Sequence, residues 1–208
     1  MEKDWAAENL QTIRTLMERS ALYRRALAPV MFLVGTIGLI SGIATILFNL
    51  KTTTAFVVWW FCAGAVAIAG TLLIARKQAL KDAEPFWSAP TKRVVYSLCP
   101  SLFAGVLCGI SAIISEGDHA FNIRILPAFW IVFYGIALNS AGFFMQRGMK
   151  FFGLLLVIAG SLLIVALPLF NTDNTFKIPN ILMLIFFGAV HLAYGVYLHF
   201  TEKHTLSQ

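Results

Sequence analysis

The apolar positions of this chain form six long continuous runs, at roughly 28–48, 55–75, 94–114, 125–145, 150–170 and 179–199, separated by shorter polar stretches. A helix that crosses a bilayer needs about 20 mostly apolar residues, and every run is of that length. None contains Asp or Glu, and Arg93, Arg124 and Lys150 stand at run ends rather than in interiors. A β-barrel would instead show alternating segments of about ten residues. The pattern predicts an all-α, polytopic membrane bundle of six transmembrane helices over 27–200, preceded by a segment at 1–26 and followed by a tail at 201–208. Pro29, Pro127 and Pro179 fall near the expected helix starts, where a missing N–H is harmless. Pro100 lies about a turn inside the third span and is expected to kink it, while Pro168 is near the end of the fifth. The links Asn49–Thr54, Glu116–Arg124 and Asn171–Ile178 leave no room for an external domain.

A repeat runs through the even-numbered spans: Phe, one residue, a small residue, six residues, Gly. It reads Phe61, Ala63, Gly70 in span 2; Phe133, Gly135, Gly142 in span 4; and Phe186, Gly188, Gly195 in span 6. The odd spans echo it, with Gly35 and Gly42, and Gly153 and Gly160, each seven apart; span 3 has Gly105 and Gly109 instead. Small residues at helical spacing let membrane helices approach closely, which is how they gain packing energy in lipid. One reading is three helical hairpins, 1–2, 3–4 and 5–6, arranged with pseudo-threefold symmetry. The competing one is that glycine is simply common in membrane helices.

Residues 5–25 have a different character. They contain no Gly or Pro, and Ala6, Leu10, Ile13, Met17 and Ala21 make one apolar stripe at helical spacing. Asp4 is placed as an N-cap, Glu8 suits the first turn, and Arg24 and Arg25 suit the last. This cytoplasmic amphipathic helix, with Trp5 as an interface anchor, has three readings. It lies on the inner leaflet, forms a short coiled coil with a second copy or a partner, or simply leads into span 1. Its candidate contact residues are Trp5, Leu10, Ile13, Met17, Arg24 and Arg25. In the loop after span 2, the segment 84–90 (EPFWSAP) sets Phe86 and Trp87 between prolines. Aromatic rings there suit the headgroup layer, with docking of a partner as the other use.

Composition agrees with a membrane chain. Hydrophobic residues are 59% and charged residues 12% of the 208, against about 45–50% and about 25% in soluble domains. The distribution of charge is more informative than its amount. Thirteen Lys and Arg, against seven acidic residues, fall on the side of the two termini. Three, against three acidic residues, fall on the other side. The net charges are +6 and 0, and the positive-inside rule puts both termini in the cytoplasm. A basic excess on that face is expected to meet the anionic inner leaflet or a cytoplasmic or membrane protein partner, beyond fixing topology, and nucleic acid is not an expected ligand. The polar first 26 residues do not read as a cleavable signal peptide, and Glu2 excludes N-myristoylation.

Two stretches carry a resemblance. Phe152–Gly160 (FGLLLVIAG), followed by Pro168, resembles the HdeD-type six-helix acid-resistance membrane proteins of bacteria, chiefly over spans 5 and 6. The run Glu8–Arg25 (ENLQTIRTLMERSALYRR) resembles the start of an uncharacterised set of small bacterial inner-membrane proteins. What these imply is a multi-pass protein of the bacterial cytoplasmic membrane; neither resemblance supplies catalytic residues.

Ionisable groups inside a membrane are the usual pointers to function, and here His191 is the exception among the apolar spans. Tyr194 follows it at i+3, and Asn139 and Ser140 in span 4 sit at comparable depth. If spans 4 and 6 pack together, His191, Tyr194, Asn139 and Ser140 form an intramembrane polar cluster; otherwise His191 donates one hydrogen bond to a neighbour and stays neutral. No second histidine matches it in depth, so a bis-histidine haem is disfavoured. Cys62, Cys99 and Cys108 lack metal-ligand or disulfide spacing, and no cofactor or metal is expected. Phosphate-binding loops, H-E-x-x-H and G-x-S-x-G are missing, so no enzyme motif is visible. The expected function is that of a non-catalytic membrane protein engaging a partner through its basic face. The alternative is a small-solute channel or transporter with a path near His191 and Asn139.

Overall fold

The computed structural model describes residues 27–81, 83, 85–115, 123–145, 147–169 and 176–206. The expected amphipathic helix at 1–26 lies outside the described residues. The described chain is all-helical. The helices are α1 (Leu27–Leu47), α2 (Thr53–Lys81), α3 (Ala89–Ile114), α4 (Leu126–Ala141), α5 (Arg147–Ala166), α6 (Lys177–Met183) and α7 (Val190–Leu206). A π-helical stretch, Leu184–Ala189, joins α6 and α7 into one continuous rod, and a 3-10 turn at Leu167–Leu169 closes α5. Five of these rods, counting α6 with α7 as one, are long and apolar enough to cross a membrane. The sixth expected span corresponds to α4, which is 16 residues and about 24 Å long.

Local chemistry sets the ends. The Thr52 hydroxyl accepts from the Ala55 N–H and so caps α2. At the end of α1, Asn49 takes a left-handed backbone (φ 50°). The Asn49 N–H bonds to the Ile46 carbonyl and the Leu50 N–H to the Thr45 carbonyl, closing the helix as a Schellman turn. Pro90 and Pro127 occupy first-turn positions of α3 and α4, as their missing donors allow. Pro100 is accommodated inside α3, which continues through it.

Helix α4 is the core of the bundle. Leu126, Ala128, Trp130, Ile131, Ala137, Leu138 and Ala141 are all buried, while on the other helices large apolar side chains point outward. Ile40 and Ile46 on α1, Val66 and Leu73 on α2, Phe103 and Ile110 on α3, Ile158 and Leu162 on α5, and Phe200 on α7 are exposed. The interior, in turn, holds polar side chains: Ser41, Thr45, Asn180 and His191. Apolar outside with polar groups inside is what a lipid solvent selects, because a water-facing surface seldom exposes such extended apolar area. Along α3, α4 runs antiparallel: Ala112 packs near Leu126, Trp130 donates its indole N–H to the Gly105 carbonyl (2.9 Å), and Leu98 lies by the cluster holding Leu138. α5 then returns antiparallel to α4.

Glycines decide which helices touch backbone to backbone. Side chains added at Gly135, Gly153 and Gly160 would strike the backbone of the facing helix in the α4–α5 pair. Likewise Gly38 faces the Phe187 carbonyl, Gly35 faces Leu192, Gly42 faces Leu184, and Gly188 faces Leu39 in the pairing of α1 with α6 and α7. The seven-residue glycine pairs of spans 1 and 5 are therefore used against spans 6 and 4, while within hairpin 1–2 Gly70 of α2 meets the Leu33 side chain of α1. Gly64 on α2 is different, since an added Cβ would meet nothing within 4 Å.

This difference gives a paired prediction. Gly38→Ala forces a methyl into the Phe187 carbonyl and is expected to destabilise the protein by about 1–3 kcal/mol. Gly64→Ala should be neutral or gain about 0.5–1 kcal/mol, because alanine is the better helix former. Thermal unfolding in detergent compares the two; equal effects would contradict the packing described.

Candidate functional site

His191 is 0% exposed and, with Thr45, is the most enclosed polar side chain among the described residues. Its Nδ1 lies 2.7 Å from the Phe186 carbonyl oxygen, and its Nε2 lies 3.1 Å from the Tyr134 hydroxyl. A carbonyl only accepts, so Nδ1 carries the proton. The neutral ring then leaves Nε2 free to accept from the Tyr134 O–H, and each polar atom of the pair is satisfied. The Phe186 carbonyl belongs to the π-helical stretch, where the ordinary i to i−4 bonding is broken and the Val190 N–H reaches back to Ile185. The imidazole thus holds its own helix five residues back, inside the irregular turn. π-Turns of this kind commonly mark functional positions.

Aromatic rings close the site on all sides. Phe187 stacks on His191 (centroids 5.9 Å apart, planes 11°), Phe152 meets it edge-on (5.3 Å, 88°), and Tyr134 is tilted against it at 5.4 Å. Tyr194 forms the next layer, stacked flat on Phe152 at 4.2 Å. The chain contains four aromatic–glycine steps, Tyr134-Gly135, Phe152-Gly153, Phe187-Gly188 and Tyr194-Gly195, and all four converge here. In each, the ring turns toward the His191 cluster while the glycine next to it lets a neighbouring helix approach. The same step in the chain therefore builds both the packing and the enclosure.

Of the residues singled out from the sequence, His191 and Tyr194 do share this cluster, through Phe152. Asn139 does not bond to His191; its Nδ2 donates to the Lys150 carbonyl (2.9 Å) and ties the end of α4 to the start of α5. Next to it, the Lys150 ammonium sits 3.9 Å from the Phe143 ring centre. Ser140 is half-buried, and its backbone carbonyl receives the Phe143 N–H in the turn after α4. The Tyr194 hydroxyl is buried and lies near Gly148 at the start of α5. Phe86 and Trp87 lie in the described link between α2 and α3, their rings 6.0 Å apart, with Trp87 exposed. Trp5, Leu10, Ile13, Met17, Arg24 and Arg25 lie outside the described residues.

Sequence reasoning missed Tyr134, Phe152 and Phe187. The signal for two of them was present: they occupy the unassigned position between Phe and the small residue in the repeat of spans 4 and 6. Among the described residues no three His, Cys, Asp or Glu side chains gather in a group able to hold a metal ion. The cysteines are free, with Cys62 and Cys99 exposed on the apolar exterior. No protein-family profile, curated protein or solved structure matches the chain.

Tyr134→Phe removes the donor to Nε2 and leaves a buried acceptor unpaired, which should cost about 1–3 kcal/mol of stability. Combined with His191→Leu, the loss should be smaller than the sum of the single losses, with a coupling of about 0.5–3 kcal/mol. Additive losses in a double-mutant cycle of unfolding would mean that the two side chains do not act as a pair.

Proposed function

We propose that the chain is a non-catalytic, six-span protein of the bacterial inner membrane, with both termini in the cytoplasm. On this reading it engages a cytoplasmic or membrane partner through its basic face. The observation that carries it is the closure of His191. The most prominent polar side chain within the described spans has both nitrogens occupied, by the Phe186 carbonyl and the Tyr134 hydroxyl, and is walled by aromatic rings. That arrangement serves as a structural fastening. A solute path at this position gains no support, since Asn139 is also bonded within the α4–α5 turn.

The six-span topology is supported by direction. Helix α4 returns along α3 from the level of Ala112 to that of Leu98, so α3 and α5 start at the same end of the bundle. Its shortness relative to a hydrocarbon core of about 30 Å is eased by its burial among the other helices. The basic face is supported by exposure: Arg76, Lys77, Lys81, Lys92 and Arg93 are all exposed where α2 ends and α3 begins. Helix α2 is 29 residues, about 43 Å, and so outruns the hydrocarbon core by more than two turns on that basic side. An anionic leaflet surface and an acidic patch on a partner protein both complement such a ledge.

Deleting residues 2–24 should abolish co-purification of the partner after cross-linking in the native membrane, while membrane insertion and a cytoplasmic C-terminal reporter persist. Unchanged co-purification would remove the role given to the N-terminal segment. A C-terminal reporter active only outside the cytoplasm would overturn the topology.

A further inference from the structure

Where α2 ends and α3 begins, five cations stand exposed: Arg76, Lys77 and Lys81 on α2, and Lys92 and Arg93 on α3. Among the described residues none of the five is held in an ion pair. The sequence between them contributes two carboxylates, Asp82 and Glu84, which leaves the turn with a net charge of +3. The cations do not form an isolated polar cap. On α2, Leu73, Lys77 and Lys81 follow one another at i+4, so they make one row on the helix surface. Leu73 is 65% exposed, so the row begins on a bare apolar side chain and ends on two bare cations. On α3, Lys92 and Tyr96 are again four apart, and Phe103 continues from Tyr96 two turns further into the span, with all three exposed. Each row is thus apolar toward the middle of its span and cationic at its end. Leu80 lies among the α2 cations and is 71% exposed, and Trp87 in the link is exposed as well.

The depth of these rows decides between the two complements of a basic face. The apolar part of α2, residues 53–75, is about 34 Å long, which a hydrocarbon core of about 30 Å accommodates with an ordinary tilt. Residues 76–81 then rise about 9 Å, and the headgroup layer on one side of a bilayer is about 5–8 Å deep. The cations therefore stand at the level of the lipid phosphates. We propose that the α2–α3 turn is a binding surface for acidic phospholipids of the surrounding membrane, with acyl chains along the Leu73 and Phe103 sides of the rows and phosphates on Lys77, Lys81 and Lys92. Charge selects the acidic class, because the ammonium of a zwitterionic headgroup sits beside its phosphate and is repelled by the same cations. The interleaved Leu80 and Trp87 favour lipid over an acidic protein, since both suit the boundary of chain and headgroup, where a soluble acidic patch offers them nothing apolar. This inference rests on the basic-face reading given above and specifies what that face meets in the α2–α3 turn.

The test is electron paramagnetic resonance of full-length protein reconstituted in phosphatidylcholine, with a trace of spin-labelled phosphatidylglycerol or of spin-labelled phosphatidylcholine. Lipid held against the protein gives a motionally restricted component. Phosphatidylglycerol should be preferred over phosphatidylcholine in that component by roughly threefold or more at low salt. The preference should fall by at least about half in the double variant Lys77→Gln, Lys81→Gln. It should persist in Lys51→Gln, which removes an exposed cation at the opposite end of α2. Equal association of the two lipids, which is the outcome for a face that serves an acidic protein alone, would overturn the proposal. So would a preference unchanged in the double variant, or one lowered as much by Lys51→Gln. If the double variant does not insert, Lys92→Gln with Arg93→Gln takes its place under the same expectations. Purified protein in defined lipid contains no partner, so failure here is distinct from failure of the partner-binding role, which co-purification decides.

Discussion

In a lipid solvent, burying apolar side chains gives helices little reason to associate, since the lipid is as apolar as they are. Close backbone approach has to supply the attraction, and here it is concentrated where glycine faces backbone: Gly38 on the Phe187 carbonyl, Gly153 on the Asn139 backbone, Gly160 on the Ala128 carbonyl. Everything else in the bundle follows from those approaches. They draw α4 against α5 and α1 against α6 and α7, and they leave α4 buried with the outer helices turned to lipid. They also fix where the rings go. A residue next to a glycine at a helix contact lies about 100° round the helix, so the four rings of the aromatic–glycine steps turn together into the space that the contacts surround.

His191 sits in that space, and its role is best understood through the irregular turn above it. A π-helical stretch disturbs the regular hydrogen-bond ladder, which is costly in a membrane where no water replaces the missing partner. The imidazole Nδ1 bonds to the Phe186 carbonyl inside that stretch, and Tyr134 of α4 holds the other nitrogen. One side chain therefore fastens its own helix and links it to the central one. The irregular turn also lies where α1 approaches most closely, at Gly38 and Gly188, so the two features stabilise each other.

Much of this was legible in the sequence, for physical reasons that differ by level. The long apolar runs, the absence of acidic residues within them and the charge asymmetry report directly on the solvent, and the helical class came from them. The glycine spacing signalled close approach but not between whom. Spacing along one helix carries no information about its partner, so hairpins 1–2 and 5–6 were natural but spans 1 and 6 used the contacts. His191 stood out by type, whereas its bonding partner did not. Asn139 looked suited by depth alone, yet rotation about α4 directs it to Lys150 and brings Tyr134 to the histidine. Rotation about a helix axis within an almost wholly apolar span is what hydrophobic pattern fails to encode. The burial of Trp60 Nε1 and Asn180 Oδ1 was similarly hidden, because it depends on which helices meet.

The central claim is the antiparallel pairing of the first span with the last through their glycines. It is tested most directly by disulfide cross-linking in membranes, with the native Cys62, Cys99 and Cys108 replaced by serine. A Cβ placed at Gly195 lies 3.3 Å from the Met31 Cβ, close to the spacing of about 3.5–4.5 Å that a disulfide requires. The account predicts rapid, near-complete intramolecular cross-linking of Met31→Cys with Gly195→Cys on mild oxidation, and none of Gly64→Cys with Gly195→Cys. Absence of the first cross-link in protein that has inserted normally would contradict it.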